Sequence, residues 1–479
     1  MKKICSLIFI MLLFITFSCK NKNNDENKDN NPEQQTEDTQ PDEGKEDIHE
    51  CRYFKEVIDA DLNLLNCGDE YDVYNECSEC GKKTFLRKEI VPHELITERE
   101  EATCSQDGHE LIYCKFCDYV ESNQIIPKTN LHNYVEGVIE MPNGTTAGKV
   151  GVYCSMCNKV QSSKNIYQNG HFLHGKLSVD GADLVDQYGE KFQLVGLSTH
   201  GLQWFGKYVN LDTFTGIHNE FLNNVFRLSL YTSENGYCEC SASKKEQLYN
   251  TVVKGIEAAT ALDCYVIVDW HMLGAENEND KNPLYYLDEA KEFFGKISKQ
   301  FKDYDNILYE IMNEPCGSTT WADCKQYANE IIPIIRENTD AIVLVGNPKW
   351  TADLESVMKS PLKGYTNIMY TFHFYANDSF NQKKLTNAYD AGFPVFVSEH
   401  GGMEASGDGA IDYTSVKKWY TEMDKRNISY VAWNISNSKG SASIIKYNDS
   451  TMKDFSDSHL KEWGIYYKTV TRGRLETNN

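Results

Sequence analysis

From about Gly170 to the end of the chain, short apolar runs alternate with stretches whose apolar residues recur at helical spacing. The runs FQLVGLS (192–198), NVFRLSL (224–230), YVIVDW (265–270), NILYEIM (306–312), AIVLVG (341–346), NIMYTF (367–372), PVFVSE (394–399) and ISYVAW (428–433) predict eight strands. Between the second and third, KEQLYNTVVKGIEAATAL (245–262) sets Leu248, Val252, Ile256 and Ala259 on one face of a helix. Near-continuously apolar strands joined by helices belong to a parallel sheet covered on both faces. Eight such units imply an α/β fold closed into a (β/α)8 TIM barrel over 170–479.

The pattern upstream is different. Lys2 and Lys3, an apolar run from Ile4 to Phe17 and the small pair Ser18-Cys19 read as an export signal over 1–19. The run is shorter than the ~20 residues a membrane-spanning helix needs. Cys19 after Ser18 resembles a bacterial lipoprotein processing site, where the cysteine is lipidated and becomes the new N-terminus. That implies an exported protein held to a membrane by lipid; an ordinary signal peptide, with a secreted product, is the alternative. Residues 20–48 are Asn, Asp, Glu, Gln and Lys with almost nothing apolar, too polar to offset chain entropy, and are expected to form a disordered acidic tether.

Residues 49–169 are cysteine-rich and repetitive, with CxxC pairs beginning at 77, 114 and 154. Cys67, Cys77, Cys80 and His93 make up the first copy, and Cys104, Cys114, Cys117 and His132 the second. Three thiols and an imidazole form a tetrahedral zinc set, so each repeat is expected to hold its own structural zinc. In the third copy Gly144 stands where the leading cysteine should be, and that site is expected to be deficient. Disulfide staples are the competing reading, since thiols oxidise outside the cell.

Composition narrows the partners. With Lys+Arg 48 against Asp+Glu 71 and a net charge of −23, the chain lacks the basic surface that gripping nucleic acid requires. The 29 Tyr, 21 Phe and 7 Trp suit stacking on sugar faces, although most aromatics pack cores.

In a barrel of this kind the site is built at the carboxyl ends of the strands. Those ends carry His200 and Trp204, Arg227 and Tyr231, His271, Asn313 and Glu314, Trp350, His373 and Tyr375, Glu399, and Trp433. Two carboxylates terminating apolar strands are what glycoside hydrolysis requires. Three imidazoles, His200, His271 and His373, could in principle hold zinc, but hydrogen bonding around a sugar is the simpler use, and no cofactor is expected for catalysis.

The motifs YEIMNEP (309–315), VDWH (268–271), FHFY (372–375) and VSEHGG (397–402) closely resemble the family-5 glycoside hydrolases, in the family's order. The stretch LHGKLSVDG…LVGLSTHGLQWFG (173–206) looks like the start of that family's bacterial endoglucanases. The resemblance implies retaining hydrolysis of β-1,4-glucan, with Glu314 as proton donor and Glu399 as nucleophile. A mannanase, lichenase or xyloglucanase of the same family, or a non-catalytic carbohydrate-binding surface protein, are the alternatives. Residue chemistry fits the mechanism: Arg227 and Tyr375 would keep Glu399 ionised and oriented, and Asn313 would hold the sugar 2-hydroxyl. The resemblance places Trp204, Trp350 and Trp433 in the cleft as exposed stacking platforms, and Lys439, in SNSKGSAS (436–443), against a sugar hydroxyl.

Overall fold

The computed structural model describes residues 50–273 and 281–476. The export signal, Cys19 and the 20–48 tether lie outside the described residues. The chain divides into two compact units, residues up to Arg99 with Glu110–Gln124, and Glu100–His109 with Ile125 onward.

The repeats form three small sheets. Phe54–Ile58 (β1), Glu70–Cys77 (β2) and Lys83–Ile90 (β3) make the first, antiparallel throughout. Leu95–Glu100 (β4), Gly108–Cys114 (β5) and Val120–Ile126 (β6) make the second. Tyr134–Glu140 (β7), Gly148–Cys154 (β8) and Val160–Ile166 (β9) make the third, again antiparallel. In each, the middle strand ends on the first cysteine of the CxxC turn.

This topology corrects the expected grouping of zinc ligands within each repeat. Cys67 precedes β2 and His93 follows β3, so both lie at the end of the first sheet opposite the Cys77–Cys80 turn. A strand of that length, rising about 3.3 Å per residue, holds them more than about 20 Å from it. Cys67 and His93 lie instead with Cys114 and Cys117, and Cys104 and His132 with Cys154 and Cys157. The third CxxC turn therefore has a full set of partners despite Gly144. Among the described residues, the cysteine group with three members is the first, Cys51 with Cys77 and Cys80.

The third sheet shares a compact unit with the barrel. Ile166 at its end is fully buried, the Tyr167 N–H donates to the Asp263 carboxylate at 3.0 Å, and the Tyr167 ring meets His218 edge-on. A short hairpin follows, Ser178–Asp180 (β10) against Asp183–Val185 (β11).

The eight expected strands are all present: Val195–Thr199 (β12), Val225–Tyr231 (β13), Tyr265–His271 (β14), Ile307–Glu310 (β15), Val343–Val345 (β16), Ile368–Tyr375 (β17), Val395–Gly401 (β18) and Tyr430–Ile435 (β19). They pair in parallel in sequence order, and β19 returns to β12 to close the barrel. The helix expected at 245–262 spans Ala242–Ala261, capped by the Ser241 side chain.

Strand alternation sorts the residues by destination. Phe226, Leu228 and Leu230 of β13, and Val266, Val268 and Trp270 of β14, pack outward with the helices in the larger core. Val225, Tyr265, Ile267, Leu308, Leu344, Met369, Phe396 and Val431 fill the barrel interior with Leu177 and Leu184 from the hairpin segment, which plugs the amino-terminal end. Further along, the inward positions turn polar: Arg227 and Ser229 on β13, Asp269 and His271 on β14, Glu310 on β15, Thr371 and His373 on β17. The apolar plug supports the fold, and the polar layer above it carries the site.

Candidate active site

Arg227 organises this layer. Completely buried, it donates from Nε and Nη2 to the two oxygens of Glu310 at 2.7 and 3.1 Å, and from Nη2 to Asn313 Oδ1 at 2.7 Å. Its Nη1 reaches Ser198 Oγ at 3.3 Å and Glu399 Oε2 at 3.0 Å, and Asp269 lies 3.0 Å from Nη2. One cation thus faces three carboxylates. Burial pushes Asp269 well above the usual carboxylate range, so it takes up a proton most readily of the three. Burial acts on Glu310 too, but Arg227 and His373 outweigh it and hold that acid down at about 2.

Glu399 owes its inward direction to an irregularity. The register of β18 shifts between Val397 and His400, so the consecutive residues Ser398 and Glu399 both reach into the site. The second oxygen of Glu399 accepts a hydrogen bond from the Tyr375 hydroxyl at 2.8 Å. Burial opposes charge on Glu399, yet His373, Arg227, His271 and the tyrosine together lower its pKa. Glu314 is shifted the other way: burial pushes it up, and the charge on Glu399 adds to that against the hydrogen bond from His373. Carboxylate oxygens of Glu314 and Glu399 and a ring nitrogen of His373 all lie within 4.8 Å of one another.

His373 connects the two layers. The Ser398 hydroxyl donates to Glu310 Oε1 at 2.8 Å, so its oxygen accepts from His373 Nε2, 2.9 Å away. The other nitrogen, Nδ1, faces Glu314 Oε1 at 2.8 Å, leaving one proton shared between imidazole and carboxyl. Burial disfavours charge on the ring, but Glu310 and Glu314 raise its pKa to about 9.

The remaining expected residues fall into place unevenly. Asn313 accepts from Arg227, and its amide donates to the Met272 carbonyl and faces His271 Nε2 at 3.3 Å. His271 Nδ1 is 2.6 Å from Asp269, and its ring lies between Tyr231 and Trp433, at 4.3 and 5.2 Å. His200 packs on Trp433 and Trp204 at 5.2 and 5.7 Å. Burial lowers His200 and His271 to about 3, so both are neutral hydrogen-bonding groups near pH 7. Trp204 and Trp350 are each 47% exposed. The backbone N–H of Trp350 donates to the carbonyl of Pro315, the residue after the acid, at 3.1 Å.

Two expectations need correction. Trp433 lies within β19 and is only 7% exposed, so it is part of the packed floor of the site and not the exposed residue beyond its strand that was expected. The Lys439 ammonium sits 5.4 Å over the Tyr447 ring, and the residue lines a surface cavity of about 870 Å³ with Lys461, Trp463 and Tyr466, not one with the two glutamates. The three imidazoles considered for zinc form no common ligand group among the described residues. Glu314, His373 and Glu399 satisfy that spacing instead, with Glu399 held by Arg227 and Tyr375, and His373 hydrogen-bonded to Ser398 and Glu314.

Sequence reasoning missed Glu310, Asp269 and Ser398. The signal was there: each is a polar residue at an inward position of an otherwise apolar strand, where it must find a buried partner.

A (β/α)8 barrel presenting two close carboxylates of opposite proton affinity at its strand ends has the site of a glycoside hydrolase. Residues 185–439, just over half of the chain, match the family model described as Cellulase (glycosyl hydrolase family 5). The chain belongs to this family. It is 43% identical over 297 residues to Endoglucanase A of Butyrivibrio fibrisolvens, a match covering 61% of this chain and 68% of that one. It is 37% identical over 308 residues to an endoglucanase of Clostridium saccharobutylicum, covering 64% and 66%. Among solved structures, the catalytic domain of Thermobifida fusca endoglucanase Cel5A, in complex with cellotetraose, is similar with a TM-score of 0.58 at 34% identity, over 64% of this chain and 99% of that one.

Proposed function

We propose that the chain is a retaining endo-β-1,4-glucanase that hydrolyses cellulose-type β-glucan by double displacement. The observation carrying this reading is the approach of Glu314 and Glu399 to within 4.8 Å, close to the separation of about 5 Å that direct attack needs and too short to seat a water between them. The relatives named as endoglucanases support the glucan assignment.

In the first step Glu399, held ionised by Arg227 and Tyr375, attacks the anomeric carbon. The glycosidic C–O bond breaks as Glu314 gives its proton to the departing oxygen, leaving a glycosyl ester on Glu399 and a carboxylate on Glu314. Esterification removes the negative charge that had been raising the Glu314 pKa. Glu314 is then the base that takes a proton from water as the water displaces Glu399. His373 shares a hydrogen bond with Glu314 at 2.8 Å and orients it for both steps.

That sharing has a kinetic consequence. The Glu314 proton is retained through burial and the charge on Glu399, with His373 pulling the other way. His373→Asn is expected to move the alkaline limb of kcat/KM to higher pH, because the hydrogen bond and charge that oppose the raised Glu314 pKa are lost. The acid limb, set by protonation of Glu399, should move to higher pH as well, since His373 is the first of the groups that keep Glu399 ionised. A fall in kcat with an unmoved alkaline limb would reduce His373 to packing.

Lys2, Lys3, the apolar run and Ser18-Cys19 support export, with lipid on Cys19 tethering the enzyme to a membrane surface. The glucan assignment is tested by reducing-sugar release from carboxymethyl cellulose and from mannan. Rapid release from the cellulose derivative with little from mannan is expected; the reverse would make the chain a mannanase, and no release from either would make it a binding protein.

A further inference from the structure

We propose that the cysteine-rich region carries two zinc sites shared between consecutive repeats: Cys67 and His93 with Cys114 and Cys117, and Cys104 and His132 with Cys154 and Cys157. Each site takes its first cysteine and its histidine from one repeat and its CxxC pair from the next. All four ligand atoms in each set lie within 4.8 Å of one another.

The distances discriminate between metal and disulfide. Tetrahedral zinc with Zn–S about 2.3 Å and Zn–N about 2.0–2.1 Å places sulfurs about 3.8 Å apart and sulfur and nitrogen about 3.6 Å apart. The Sγ atoms of Cys67 and Cys114 are 3.5 Å apart, and those of Cys104 and Cys154 are 3.7 Å apart. His93 Nδ1 is 3.4 Å from Cys117 Sγ, and His132 Nδ1 is 3.4 Å from Cys157 Sγ. A disulfide would bring two sulfurs to about 2.05 Å, leave an odd thiol in each group, and give the inward imidazole nothing to do.

The surroundings are those of a metal turn. Cys104, Cys114 and Cys154 are buried. The Phe116 N–H donates to Cys114 Sγ at 3.5 Å, a contact that favours thiolate. The Cys154–Cys157 turn closes with the Asn158 N–H on the Cys154 carbonyl at 2.8 Å, and Asn158 takes the left-handed conformation, φ 59°, that the turn requires. His93 is fixed by the Tyr119 ring, stacked at 4.0 Å and 3°. The need for metal is also plain, since these thin sheets leave Phe85, Phe116, Ile125 and Met156 exposed and build little core of their own. Binding releases the thiol protons to solvent as zinc takes their place.

The test uses the whole chain, purified without chelator, with zinc counted by elemental analysis and native mass spectrometry. Pairs of substitutions separate sharing between repeats from sites confined to one repeat. Cys67→Ser with Cys114→Ser should cost one zinc relative to the parent, since both serve one site. Cys104→Ser with Cys114→Ser should cost two. Sites confined to single repeats give the reverse, and that result would overturn the proposal. Counting differences from the parent cancels whatever the Cys51, Cys77 and Cys80 group holds. Undiminished glucanase activity of the variants shows that the barrel has folded. Should a variant fail to fold, cobalt exchanged into the unaltered protein decides: intense thiolate-to-cobalt bands from tetrahedral sites are expected. Their absence, or a mass two hydrogens lower per cysteine pair in the exported protein, would overturn the proposal in favour of disulfides.

Discussion

Glu399→Gln is expected to lower kcat on a soluble glucan by about 10⁵-fold, the scale on which loss of a nucleophile is felt, with the melting temperature nearly unchanged. The amide keeps the shape of the carboxylate and still accepts from Arg227, which retains both bonds to Glu310. It cannot form the glycosyl ester, so the first displacement has no route. In Glu399→Gly, where the side chain is gone, added azide should enter the space and attack the anomeric carbon, restoring cleavage with inverted product. Activity near the parent's in Glu399→Gln would remove the residue from the chemistry.

Arg227→Met should cost stability as well as activity. The guanidinium is the shared partner of Asp269, Glu310 and Glu399, each fully or nearly fully buried. Removing it leaves carboxylates without a counter-charge, at a cost of about 3–5 kcal/mol near pH 7. The loss should depend on pH with a definite sign. Glu310, held at about 2 in the parent, contributes stability that is present above its unfolded pKa and lost as the pH falls towards 2. The variant has no such contribution to lose, so the gap between the two denaturant midpoints should narrow on acidification. A gap that is small at pH 7, or that widens in acid, would contradict this account of the buried layer.

The eight strands and the two glutamates were legible because both are written locally. Apolar runs separated by helix-period segments announce a covered parallel sheet, and a carboxylate that ends such a run is hard to place except in a site. What escaped was whatever depends on the partner across the barrel. Glu310 sits in the middle of NILYEIM and reads as a strand residue until Arg227 from β13 is seen beside it. The turn of Glu399 into the site beside Ser398 depends on the register shift in β18, which leaves no mark on the sequence. Trp433 reads as lying beyond its strand, but β19 continues to Ile435 and the ring is packed against His200 and His271. The cysteines failed for a different reason: nearness in sequence was taken for nearness in space. A middle strand of eight residues, Glu70–Cys77, carries the CxxC turn away from the cysteine that precedes it. Counting that strand's length would have moved each histidine to the next repeat's turn.

The central claim is that Glu399 bonds covalently to the sugar while Glu314 handles the proton. It is tested most directly by trapping the intermediate with a 2-deoxy-2-fluoro cellobioside bearing an activated leaving group, then locating the label by mass spectrometry of the digested protein. The electron-withdrawing fluorine slows both displacements, and the good leaving group lets the first outrun the second, so the ester accumulates. The expected result is one sugar per chain, carried on Glu399 in the segment VSEHGG. Label on Glu314, or turnover without any covalent adduct and with inverted product, would contradict it.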